Sequence, residues 1–150
     1  MYKKMQRTLS MAGILMLLGV ASSHAQTSAS LKAVIPFEFK VLNQTLPAGS
    51  YTISFARAES RDVIWIKNQD SSAVVNVITY GHKEKRMHDD AYLTFHRYGD
   101  QYFLAQVWTA YADEAREPAK SRSEKELLQS AAKGGTHGKA AYESVMVVAR

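Results

Sequence analysis

The chain has 150 residues, a formal net charge of +5 and no cysteine, which excludes disulfide frameworks, thiol redox chemistry and thiolate metal sites. Setting aside the basic leader described next leaves 16 basic against 14 acidic residues. That balance excludes the clustered cationic face by which nucleic-acid binders are recognised.

At the start of the chain, Lys3, Lys4 and Arg7 precede the apolar run Met11 to Ala21. The run is well short of the ~20 apolar residues that span a bilayer. Small residues at Ser23 and Ala25 then form a signal-peptidase pattern. Residues 1–25 are therefore expected to be a cleaved export signal, leaving Gln26 as the new terminus. Residues 26–150 are expected to form one domain, periplasmic or secreted, without a lasting membrane anchor. The absence of cysteine also rules out a lipid-modified cysteine at the cleavage site.

After a polar leader, Gln26 to Ser30, the dominant period is two, the signature of half-buried strands. In Ala33 to Phe39, Ile35, Phe37 and Phe39 share an apolar face, and Pro36 points to an edge position. The turn Leu46-Pro47-Ala48-Gly49 leads into a strand over Tyr51 to Ala56. Strands Val63 to Lys67 and Ala73 to Tyr80 follow, joined by a turn over Asn68 to Ser72. The charged stretch Gly81 to Asp90 reads as a solvated loop. Strands Tyr92 to Tyr98 and Gln101 to Thr109 flank Gly99-Asp100 as a two-residue hairpin rich in aromatics.

The period then changes. Ser121 with Glu124, and Ser123 with Glu126, have capping-box spacing, and Leu127, Leu128, Ala131 and Ala132 form an apolar stripe. This predicts a helix from about Ser123 to Lys133, stopping at Gly134-Gly135. Tyr142 to Val148 closes the pattern as an apolar strand. About seven strands and one late helix make the fold mainly β, an antiparallel sandwich or a small barrel; the pattern leaves both open.

Four segments carry a family resemblance: Val34 to Phe39 (VIPFEF), Leu46 to Ile53 (LPAGSYTI), Leu93 to Leu104 (LTFHRYGDQYFL) and Ser121 to Leu127 (SRSEKEL). In their order and spacing they resemble a family of small exported bacterial β-rich proteins of unknown function. The resemblance implies a bacterial envelope protein and brings no activity, ligand or catalytic residue with it.

No catalytic set, cofactor or metal site is read from the residues. His82 and His88 lie six apart beside Glu84, Asp89 and Asp90, but Lys83, Lys85 and Arg86 repel a cation there. His96 lies on the face of Thr94 and Tyr98 without a nucleophile motif, so a packing or hydrogen-bonding role is expected of it. Lys133 to Ala140 imitates a phosphate loop, yet its glycine spacing is too short and Ala140 stands where Ser or Thr is required. Glu114, Glu117, Glu124 and Glu126 have no fixed separation that would make a catalytic carboxylate pair. Arg116, Lys120, Arg122 and Lys125 are mixed with acids and read as a solvated approach to the helix.

Tyr51, Trp65, Tyr92, His96, Tyr102 and Trp108 could together line a ligand site if the strands close into a barrel. The first expectation is a non-enzymatic, envelope-associated structural or interaction domain that offers an exposed strand edge or aromatic face to a partner such as an envelope protein. The alternative is a carrier of a small apolar ligand with an aromatic-lined cavity. An enzyme, third, requires His96 or His88 to meet carboxylates in a cleft.

Overall fold

A computed structural model describes residues 30–56, 61–84, 88–133 and 142–150. The expected signal and its cleavage site, the glycine stop of the helix and the phosphate-loop imitation after Lys133 lie outside the described residues. Those residues form ten strands and one helix: β1 (Ser30–Ile35), β2 (Phe39–Val41), β3 (Gln44–Leu46), β4 (Gly49–Phe55), β5 (Val63–Asn68), β6 (Val74–Lys83), β7 (Ala91–Tyr98), β8 (Gln101–Trp108), β9 (Glu114–Pro118), α1 (Arg122–Lys133) and β10 (Glu143–Ala149).

The period-two pattern becomes an inside and an outside. In β1, Leu31, Ala33 and Ile35 are buried while Lys32 and Val34 are exposed. In β5, Ile64 and Ile66 are buried while Trp65 and Lys67 face out. Strands β8, β7, β10, β1, β4, β5, β6 and β9 pair in that order, every pair antiparallel, and β9 returns to β8. The result is a closed eight-stranded barrel, which decides between the two expected architectures.

Closure rests on short seams. β8 meets β9 at Val107 and Arg116, and β1 meets β10 at Ala33 and Ala149. Reciprocal backbone bonds between Lys32 and Arg150, at 2.7 and 2.9 Å, extend the second seam. The half of β8 that β9 leaves free pairs in parallel with β2, at Lys40 and Phe103, and so carries the β2–β3 hairpin.

Proline explains one departure from expectation. Ala33 to Phe39 is not one edge strand: β1 ends at Ile35, lies between β10 and β4, and restarts as β2 at Phe39. Pro36 has no N–H to continue the ladder, so the strand breaks there. β6 also runs three residues into the expected loop, where Gly81, His82 and Lys83 pair with β9.

The interior is apolar. Phe39 meets Tyr51 and Phe95 edge-on at centroid distances of 5.2 and 5.4 Å, and Phe37 meets Phe95 at 5.1 Å. Burying each such side chain contributes about 1.5–3 kcal/mol. Outside, the strands carry Lys32, Ser50, Thr52, Ser54, Lys67 and Asn76. Gly99 opens the β7–β8 turn with φ 61°, the conformation a two-residue hairpin needs at its first position.

α1 begins one residue earlier than expected. Ser121 Oγ accepts from the Glu124 amide at 3.1 Å, and Arg122 pairs with Glu126 at 3.0 Å one turn on. Its first turn packs on the outer face of β7.

Candidate functional site

The barrel presents two aromatic outer walls. On β7, Tyr92, Thr94, His96 and Tyr98 point away from the interior, where Leu93 and Phe95 lie, yet all four are only 8–9 % exposed. α1 and Tyr142 account for the cover at the lower end. Glu124, itself buried, places Oε1 3.2 Å from His96 Nδ1 and accepts from the Tyr98 hydroxyl at 3.4 Å. Tyr142 stacks on the His96 ring at 3.8 Å, and Tyr98 meets Phe103 edge-on at 5.6 Å. At the upper end Tyr92 and Trp108 stack at 5.7 Å and close over Ala115, with His88 edge-on to both.

A polar rail crosses the β8–β9 seam on this wall. Trp108 Nε1 donates to Gln106 at 3.0 Å, Gln106 donates to Glu117 at 3.1 Å, and Glu117 meets His82 at 3.6 Å. Burial, and then the negative charge of Glu124, pushes the Tyr98 phenol well above its ordinary ionisation range. Burial raises Tyr92 in the same way, with Glu84 adding to it.

The second wall is bare. On β5 and β6, Trp65 is 45 % exposed, Val74 50 %, and Ile78 and Tyr80 each 63 %. Register places them together: Val63 opposes Ile78, Trp65 opposes Asn76, and Lys67 opposes Val74. One strand further, Tyr80 opposes Glu117.

The six residues read from sequence as a ligand lining are distributed over both faces of the barrel. Tyr51 is inside, its hydroxyl donating to the Pro47 carbonyl at 2.6 Å and accepting from Asn68 at 3.1 Å. Burial lifts its phenol above the usual range although the Asn68 bond opposes this. Trp65 is on the bare wall. Tyr92 and Trp108 meet each other, His96 meets Glu124, and Tyr102 stacks on Phe37 at 3.9 Å. One cleft, of about 480 Å³, lies outside the barrel between the β2–β3 hairpin and α1, lined by Lys40, Leu42, Asn43, Thr45, Arg122 and neighbours. None of the six lines it.

His82 and His88 separate, the first to Glu117 and the second to Glu84 at 3.4 Å. His96 does meet a carboxylate, as an enzyme would require. However, its ring is stacked against Tyr142, and no hydrogen bond joins it to the neighbouring Ser144 among the described residues. The His96–Glu124 pair ties the outer face of β7 to the first turn of α1.

Glu124 is the site residue that sequence reading assigned elsewhere, to helix capping. Ser121 does cap the helix, but the Glu124 carboxylate turns to β7. The signal was present: Glu124 stands three, four and seven residues before Leu127, Leu128 and Ala131, in line with the apolar stripe. No known family model matches the chain, and no curated protein or solved structure is significantly similar to it.

Proposed function

We propose that this chain is an exported, non-catalytic interaction domain of the bacterial envelope, in which the barrel is a scaffold and the outer face of β5 and β6 is the binding surface. The observation that carries this reading is the adjacent exposure of Trp65, Val74, Ile78 and Tyr80. Large aromatic and aliphatic side chains grouped on a strand wall mark the centre of an interface, where aromatics are enriched and charges depleted. A carrier would use the barrel interior instead. There Phe39, Tyr51 and Phe95 already pack against one another, which is why the interaction reading takes precedence.

The test is photocrosslinking in the native host, with a photoreactive residue replacing Ile78 and, as a control, Val34 on β1. A defined adduct from position 78 that is absent from position 34 is the expected result. Equal labelling at both positions, or none at either, rejects the surface. A small molecule released on denaturing the natively purified protein would favour the carrier.

A further inference from the structure

We infer that the cleft between the β2–β3 hairpin and α1 is a binding site for a small phosphate monoester. It lies outside the barrel and is independent of the β5–β6 wall.

The elements that build it are additions to a wall that closes without them. Neither β2, β3 nor α1 takes part in the ring that runs from β8 through β7, β10, β1, β4, β5 and β6 to β9 and back to β8. The hairpin joins β8 through the pairing of Lys40 with Phe103, and α1 reaches β7 through Glu124. Between these two appendages the cleft measures about 480 Å³. That is within the range of about 300–1,000 Å³ that small-molecule sites occupy.

The charge of the lining names the ligand. Each wall supplies one cation, Lys40 from β2 and Arg122 from α1. Lys40 Nζ donates to Gln101 at 2.7 Å and lies 5.5 Å from the centre of the Phe103 ring. Both neighbours are uncharged, so the ammonium is positioned without being neutralised and keeps donors to spare. Among the described residues no carboxylate lies within 4 Å of it. Arg122 does have a partner, Glu126, one turn along the same helix at 3.0 Å, but the two side chains are 90 % and 63 % exposed. An ion pair so open to water is weak, and a guanidinium fork can take two phosphate oxygens in its place. A phosphate monoester carries a charge of about −1.5 to −2 at pH 7, which matches a cation on each wall, whereas a single carboxylate would satisfy one of them.

The remaining lining suits a polar ligand body. Asn43 and Thr45, both exposed, add an amide and a hydroxyl. Leu42, at the hairpin turn, holds a φ of 53°, the left-handed region that a residue with a Cβ enters at a cost, while its side chain packs against the core. Strain retained by packing in this way collects at ligand clamps, where the backbone must keep one shape.

The test is a titration of the ¹⁵N-labelled chain with glycerol 3-phosphate at constant ionic strength, followed by amide chemical shifts. Saturable shifts confined to residues 40–45 and 122–126 are expected, with Kd on the order of 1 mM. Acetate at the same ionic strength should bind at least about tenfold more weakly. Lys40→Gln and Arg122→Gln should each weaken binding about tenfold with far-UV circular dichroism unchanged, and Glu126→Gln, which frees Arg122, should strengthen it about threefold. Lys67→Gln, on β5, should change nothing.

Absent or scattered shifts would overturn the inference, as would binding indifferent to Lys40→Gln and Arg122→Gln or weakened by Glu126→Gln. Acetate binding as tightly as glycerol 3-phosphate would overturn the assignment to phosphate. Vesicles containing phosphatidic acid separate the two sources of this chemistry. Flotation that Arg122→Gln abolishes supports the site with a lipid headgroup as its ligand, and saturable titration without flotation supports it with a soluble ester.

Discussion

β7 and β5 share one apolar interior and both turn aromatic side chains outward, yet the outer face of β7 is sealed while that of β5 lies open. On β7 and β8 the polar atoms of the outer residues find partners on other elements: Tyr98 and His96 on Glu124, and Trp108 through Gln106 on Glu117. A polar group taken from water costs stability unless it is hydrogen-bonded, so these pairings permit the wall to be buried. Among the described residues no helix arrives on β5 and β6, and Trp65 and Ile78 face outward there. What separates the walls is therefore cover, since both carry aromatic surface.

The two tryptophans of the chain, one on each wall, give the largest contrast. Trp108→Ala should cost about 3–5 kcal/mol in urea denaturation, while Trp65→Ala should cost less than about 1 kcal/mol. Equal costs would mean that the β5–β6 wall is packed after all. Single-tryptophan variants should agree, with Trp65 emission quenched by acrylamide and Trp108 emission protected.

The fastening of α1 comes next. Glu124→Ala leaves His96 and Tyr98 without their shared acceptor and should cost about 2–4 kcal/mol, whereas Glu124→Gln keeps an oxygen in place and should cost about 1 kcal/mol. If the two variants unfold together, the pairing does not hold the helix. Ser121→Ala, removing the cap, should cost about 1 kcal/mol, read as earlier loss of helical signal on heating.

Alkaline pH is the mildest probe. Tyr51, Tyr92 and Tyr98 ionise above their unfolded value of 10.0 in the folded chain. Below pH 10 both states keep these protons and stability is complete. As pH rises beyond that, the unfolded chain releases protons that the folded chain retains, so stability must fall. The tyrosinate absorbance of Tyr51, Tyr92 and Tyr98 should accordingly develop together with unfolding. A single smooth titration without unfolding would show the β7 wall to be open.

Much of the barrel was legible in the sequence because its strands alternate, and Gly99 marked the central hairpin by the backbone angle it supplies. Three strands were missed. β2 and β3 have three residues each, too few for a period to show, and β9 reads Glu114-Ala115-Arg116-Glu117-Pro118, with only Ala115 and Pro118 buried. Closure into a barrel turned on the pairing of β8 with β9 at Val107 and Arg116, a tertiary contact that local pattern does not encode. For the site, Trp65 and Trp108 looked alike because period two assigns each to a face and is silent about what covers that face. Glu124 was hidden by its capping-box spacing, although its alignment with Leu127 and Leu128 recorded the burial.

The position of β10 also decides what completes the barrel wall. It follows every other strand in the chain, yet it lies between β7 and β1, bonded to both. The remaining strands run from β7 through β8, β9, β6, β5 and β4 to β1, so β10 is the keystone of the wall: removing it would leave two unpaired edges, on β7 and β1, flanking a slot one strand wide.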